Sequence, residues 1–153
     1  MLNHPPTPRD AADTAGHLGD EEGGTVLYQF RSDGFRLTWH DSTGPLKEDA
    51  PHVLDLLRRL PQTDVQVGAI QGFNQVTNGL RDPRMYIEAL LPRVFVPCHH
   101  DDWATAITTK GARWEPAMRA EMRRMPEDKR PRLRWLRDPE DYVRPGRLTF
   151  RPG

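Results

Sequence analysis

Apolar positions crowd the middle of this chain and change period several times along it. Thr25 to Phe30 (Thr-Val-Leu-Tyr-Gln-Phe) is rich in β-branched and aromatic residues and predicts a strand. Ser32-Asp33-Gly34 follows, and an Asp-Gly pair favours the tight turn of a hairpin. Phe35 to His40 alternates, with Phe35, Leu37 and Trp39 on one face, and predicts the second hairpin strand. Asp41-Ser42-Thr43-Gly44-Pro45 reads as a loop. The spacing then becomes helical over Ala50 to Leu60, where Val53, Leu54, Leu56, Leu57 and Leu60 make an apolar face. Pro51 sits where a first-turn proline is tolerated, and Pro61 ends the run. Val65 to Ile70 predicts a short buried strand, and Gln71 to Asp82 a polar loop. Pro83 to Leu91 predicts a second helix with Asp82 as its N-cap. Arg93 to Val96 predicts a further strand, which runs into Pro97-Cys98-His99-His100-Asp101-Asp102-Trp103.

A hairpin followed by helix, strand, helix, strand predicts an α/β fold with parallel strands. Ligands of such sheets sit beyond the carboxyl ends of the strands. Asp41, the loop of Gln71 to Asn78, and His99 all fall there.

The two ends differ from this middle. Residues 1–24 hold Pro5, Pro6, Pro8 and four glycines with few apolar residues, and predict a flexible segment or inter-element loop. Residues 25–110 carry the α/β pattern. Residues 111–153 are an Arg- and Pro-rich extension with 12 Lys and Arg against 7 Asp and Glu. Trp114 to Met125 predicts a helix there, and Asp141 to Pro145 an ordered strap, with prolines making the rest irregular. Acids and bases interleave in this extension. It therefore reads as a wrapping segment whose Trp and Tyr residues pack while the arginines stay solvated, and not as a specific nucleic-acid binder.

Composition narrows the class further. The 153 residues carry 22 Lys and Arg against 22 Asp and Glu, a formal net charge of zero, which argues against a strongly basic polyanion binder. The mean hydropathy of −0.77 implies a small core for the length. A single cysteine, Cys98, excludes an internal disulfide and a Cys-based zinc knuckle. No apolar run approaches the roughly 18 residues of a membrane span. Met1 to Asp20 lacks the apolar stretch of a secretory signal, so a cytoplasmic location is the expectation.

Two clusters could carry chemistry. Trp39-His40-Asp41-Ser42 and Pro97-Cys98-His99-His100-Asp101-Asp102 each end an apolar strand with side chains that zinc, manganese or iron accept. Each also has a plainer reading. Asp41 can cap the turn that follows it, Asp101 and Asp102 can cap the next one, and a His-His pair is commonly a hydrogen-bonded loop. His40 reads as a solvated or packing residue, His52 as surface, and Cys98 as a small buried residue, not a nucleophile. Asn74 and Asn78, flanked by Gly72 and Gly79, suit turn chemistry first and a substrate loop second.

The order of elements and motifs weighs on this choice. Gly23-Gly24-Thr25 through the hairpin to Asp41-Ser42, then Asp64-Val65, Gly68-Ala69-Ile70, Glu88-Ala89-Leu90 and Val94-Phe95-Val96-Pro97-Cys98-His99, resembles the C-terminal half of the metallo-β-lactamase fold. It is most similar to the branch of L-ascorbate-6-phosphate lactonase and the phospholipase-D-type lipid hydrolases. The resemblance covers roughly residues 23–103 and rests on motif order. It implies half of an αββα sandwich, with Asp41 as the metal-bridging aspartate and His99, two after Pro97, as the last histidine ligand. His100 stands where the family often has an aromatic.

The resemblance also implies what the chain lacks. The family builds its first metal site from a His-x-His-x-Asp-His motif, and no His-x-His occurs here. His17 and His4 are the upstream histidines and the weaker metal candidates. The N-terminal half of the sandwich is therefore expected outside this sequence. The expected activity is metal-dependent hydrolysis of a lactone, ester or phosphodiester, on a small-molecule or lipid-type substrate, with zinc or manganese at partial occupancy and weak activity in the isolated chain. The alternative is a non-catalytic module that pairs with the missing half, or with itself, through an exposed sheet face.

Overall fold

The computed structural model describes residues 26–43, 45–70, 79–100 and 114–150. The segment of residues 1–24, His4, His17, Asn74, Asn78, Asp101 and Asp102 lie outside the described residues. The fold is mixed α/β. Strand β1 (Leu27–Ser32) and strand β2 (Phe35–His40) form the hairpin. Asp33 and Gly34 both take positive φ, 46° and 82°, which gives the two-residue turn whose twist matches the strands. Helices α1 (Leu46–Asp49) and α2 (Pro51–Arg58) follow, then β3 (Val65–Ala69), α3 (Arg81–Leu90) and β4 (Val94–Cys98). The extension supplies α4 (Glu115–Met122), a 3₁₀ turn at Glu127–Lys129, a two-residue strand β5 (Arg132–Leu133), and short helices α5 (Pro139–Val143) and α6 (Pro145–Leu148).

The five strands form one sheet in the order β1-β2-β3-β4-β5. β1 is antiparallel to β2, and all later neighbours are parallel. Consecutive parallel strands in one direction are what helical crossovers produce, and α3 is the crossover between β3 and β4.

The register divides the side chains into two faces. Thr38 pairs with Gln66 and Gln66 with Phe95, so Thr38, His40, Gln66, Gly68 and Phe95 share one face. The helices cover it. Phe95 packs with Ile70, Ile87, Met118, Met122 and Trp135, and a second cluster joins Leu54 and Leu57 of α2 to Tyr86 and Leu90 of α3. The opposite face carries Tyr28, Phe30, Leu37, Trp39, Val65, Val67, Val94 and Val96. Leu136 and Phe150 of the extension pack on its valines. Toward the hairpin the face is open, and Phe30 is 54% and Trp39 37% exposed. Tyr28 stacks on Trp39 at 5.7 Å and on Phe30 at 6.2 Å.

Three local expectations are corrected. Asp82 is not the N-cap of α3: the helix starts two residues earlier from Leu80, and Asp82 is buried within its first turn beside Arg81. Arg81 also grips Glu48 of α1 with two bonds of 2.8 and 2.7 Å, which anchors the earlier start. Leu56 is exposed, because the stripe of Leu54 and Leu57 meets α3 and leaves Leu56 on its flank. The extension is also less irregular than its prolines imply, since Pro116, Pro139 and Pro145 all stand in the first turn of a helix, where a missing N–H costs nothing.

Candidate metal centre

The carboxyl ends of β2 and β4 meet although β3 lies between them. Two hydrogen bonds make the connection. Cys98 Sγ donates to the His40 carbonyl at 3.7 Å, and His99 Nδ1 donates to the Asp41 carbonyl at 3.1 Å. Asp41 and His99, 58 residues apart, are thereby neighbours at one end of the sheet. The Asp41 side chain is exposed and His99 half-buried. His99 takes φ +50°, a left-handed conformation that costs a side-chain-bearing residue energy and recurs at functional sites.

The proton on His99 Nδ1 follows from its partner. A carbonyl oxygen only accepts, so Nδ1 carries a proton. A neutral imidazole that ligates a metal commonly has its second nitrogen held by a backbone carbonyl in this way. The contact is to the Asp41 backbone carbonyl, and Asp41 itself is exposed at this end of the sheet.

Behind this pair lies a buried polar cluster on the helix-covered face. His40 is fully buried and its ring stacks on Tyr86 at 4.3 Å, 18° from parallel. Its Nδ1 donates to the Ser42 carbonyl at 3.1 Å. Its Nε2 is therefore an acceptor and takes a hydrogen bond from Gln66 Nε2 at 2.9 Å. Gln66 Oε1 is buried with no partner, because turning the amide over would set that oxygen against the Nε2 lone pair. Gly68 makes room for the ring: a Cβ there would stand 2.6 Å from His40 Nε2 and 2.8 Å from Phe95 Cε2. Burial lowers the His40 pKa from 6.5 to about 4, so the ring is neutral at physiological pH.

Burial also pushes the Cys98 thiol up to about 12, with the Asp41 charge adding to the shift. The thiolate is the nucleophilic form, so Cys98 is a structural donor here. Two residues back from His40 along β2, Thr38 shares a buried hydroxyl bond of 2.9 Å with Thr63.

His100 turns inward and lies against Trp135, with ring centroids 5.1 Å apart. No group of three or more His, Cys, Asp and Glu side chains gathers among the described residues. Asp41 and His99 do not make such a group on their own.

Gln66, Gly68 and Tyr86 were not visible as site residues in the sequence. The one signal was Gly68, since glycine inside a strand marks a close approach. No family model matches the chain, and neither a curated protein nor a solved structure is significantly similar to it. Among the described residues no helix is long and apolar enough to cross a membrane.

Proposed function

We propose that this chain carries the C-terminal half of a metal-dependent hydrolase of the metallo-β-lactamase fold. The observation that supports this most is the pairing of Asp41 with His99 across β3, at the carboxyl end of the sheet where α/β folds place their ligands. A divalent metal, zinc or manganese, activates water and polarises the scissile bond of a lactone, ester or phosphodiester when bound in such a site. Asp41 would supply a carboxylate ligand and His99 an imidazole ligand to such a metal. The remaining ligands correspond to the His-x-His-x-Asp-His motif that this sequence does not contain, so the isolated chain holds metal weakly and hydrolyses little.

The test is the metal content of the purified chain by elemental mass spectrometry, beside Asp41→Ala and His99→Ala. Zinc or manganese bound after loading, even well below one equivalent, and lost in both variants, supports the reading. A folded wild-type chain that retains no metal after zinc loading defeats it.

The open aromatic end of the sheet favours a second reading, in which the chain is a non-catalytic module. Tyr28, Phe30 and Trp39 form a contiguous apolar stripe on the face where the sandwich places its second sheet. Under this reading the stripe docks an apolar sheet layer supplied by the missing half, and the Asp41–His99 pair is structural.

A further inference from the structure

Among the described residues β1 has a neighbour on one side only, and the hairpin geometry says which of its backbone groups are left over. A two-residue turn closes on a hydrogen-bonded pair, here Ser32 with Phe35, and such pairs alternate along an antiparallel ladder. Phe30 with Leu37 and Tyr28 with Trp39 therefore exchange backbone hydrogen bonds, whereas Arg31 faces Arg36 without doing so. Arg36 agrees from the other strand. Its N–H donates to Asp64 Oδ2 at 2.8 Å and its carbonyl accepts from the Asp64 N–H at 2.9 Å, so both point to the β3 side. The outward N–H and C=O groups of β1 thus belong to Leu27, Gln29 and Arg31. Such a row pairs with another strand unless something blocks it, and β1 holds no proline or lysine and one charge, Arg31. Gln29 sits at the centre of the row. Its Oε1 accepts from Arg31 Nε at 2.8 Å, and among the described residues its buried Nε2 has no acceptor.

We propose that β1 is the interface of a symmetric dimer, in which it pairs antiparallel with β1 of a second copy of this chain about a two-fold axis at Gln29. The occupant follows from self-complementarity. Hydrogen-bonded pairs across the axis join outward residues, and one register uses all of them: Gln29 against the partner's Gln29, and Leu27 against the partner's Arg31. That register sets Tyr28 against the partner's Phe30 as a non-hydrogen-bonded pair, the kind in which side chains come closest. The exposed apolar row of Val26, Tyr28, Phe30 and Trp39 then runs on across the axis. Charge agrees with the same register. Arg31 meets an apolar Leu27, whereas a pairing centred on Arg31 would oppose like charges. Each orphaned Gln29 Nε2 gains an acceptor in the other Gln29 Oε1, which has a second lone pair to offer. Two five-stranded sheets become one continuous sheet, and a contact of this self-complementary kind closes at two copies. The pairing involves neither Asp41 nor His99, so it stands whether or not they bind metal.

The test reads the full wild-type chain in solution, from dilute samples to NMR concentrations. Sedimentation velocity should show a species of twice the 17.6 kDa chain mass that grows with concentration. In a sample mixing ¹³C-labelled and unlabelled chains, the register gives a cross-peak between Tyr28 Hα and the partner's Phe30 Hα, protons that lie far apart along one strand. Amide exchange at Leu27, Gln29 and Arg31 should be fast in the dilute monomer and slow in the dimer, with Tyr28 and Phe30 protected in both. Gln29→Pro removes an outward N–H that the monomer does not use, at a place where an edge strand tolerates proline. It should keep the fold and weaken the dimer about tenfold or more. A chain that stays monomeric at NMR concentration overturns the proposal. So does a dimer without the Hα cross-peak, which would be joined through the aromatic face or another surface. Slow amides at Leu27, Gln29 and Arg31 in the monomer overturn it too, because the edge is then covered by this chain's own residues. A folded Gln29→Pro that dimerises like wild type has the same force. If Gln29→Pro does not fold, the wild-type cross-peak and exchange still decide.

Discussion

The two faces of the sheet invert what their residue types lead one to expect. The helix-covered face buries Thr38, His40 and Gln66 completely, while the opposite face leaves Tyr28, Phe30 and Trp39 in contact with solvent. Alternation along β2 says that Phe35, Leu37 and Trp39 share a side, and they do, but alternation alone does not say which side the helices cover. That is decided by the crossover connections, which bring α2 and α3 onto the side of Thr38 and His40. The polar residues on that side remain because each has a partner: Thr38 with Thr63, His40 with Ser42 and Gln66. Among the described residues, the apolar side chains on the other side pack on one another and, farther along, on Leu136 and Phe150. One face is covered by helices and polar in part, and the other is apolar and partly exposed.

The strongest way to break this comparison is at Phe95, the largest fully buried side chain of the closed face. Phe95→Ala removes the ring that joins Ile87 and the α4 methionines and lies over Gly68. The expected cost is about 3–5 kcal/mol, read as a fall in the urea midpoint at unchanged slope. A cost under about 1 kcal/mol would mean that α4 is not held by the sheet. Gly68→Ala attacks the same place from the opposite direction. Its Cβ meets His40 and Phe95 below 3.0 Å, so overpacking of about 1–3 kcal/mol is expected.

Much of this architecture was legible in the sequence. The Asp33-Gly34 turn, the strands ending at His40 and near Ile70, and the helix before Val94 follow from turn chemistry and periodicity, which are local. Asp41 and His99 were legible as candidates because strand ends are local too. Their proximity followed only from the resemblance, not from either segment. It depends on a sulfur and an imidazole reaching across β3, and no spacing within either segment encodes that. The roles of Gln66 and Gly68 were hidden for the same reason: each is defined by a side chain 26 or 28 positions earlier in the chain. Leu56 and Asp82 were misread because a helical wheel gives a stripe but not its partner, and because an N-cap preference yields to an ion pair that anchors the previous turn.

Acid offers the second test of the closed face. The unfolded His40 titrates near 6.5 and the folded ring at about 4. Between those values the unfolded chain binds a proton that the folded chain refuses. Stability from this group is therefore complete above about pH 6.5, falls as the pH drops toward 4, and levels off below. The full loss is roughly 3 kcal/mol at 1.36 kcal/mol per pH unit. Urea unfolding at several pH values between 7.5 and 4 reads it, and His40→Asn isolates it from the carboxylates, since the variant should lose this part of the slope. Equal slopes in the two proteins would show that the ring is already protonated or solvated.

The smallest effect on stability is expected on the open face, and it sharpens the contrast most. Phe30 is half-exposed on edge strand β1 and touches Tyr28 through a stack at 6.2 Å. A same-face aromatic contact of that kind contributes a few tenths of a kcal/mol to about 1 kcal/mol. Phe30→Ser should therefore leave the unfolding midpoint nearly unchanged, roughly an order of magnitude less affected than by Phe95→Ala in free energy. Its effect should appear in association. Among the described residues β1 is an edge strand with an apolar face, without proline or lysine and with Arg31 as its one charge, so the wild-type chain should bind a hydrophobic dye and self-associate with rising concentration, and Phe30→Ser should do both less. Sedimentation velocity over a tenfold concentration range measures this directly. If Phe30→Ser instead costs as much as a core substitution, the stripe is already packed against part of this chain, the two faces are equivalent, and the case for a docked second layer falls with the contrast.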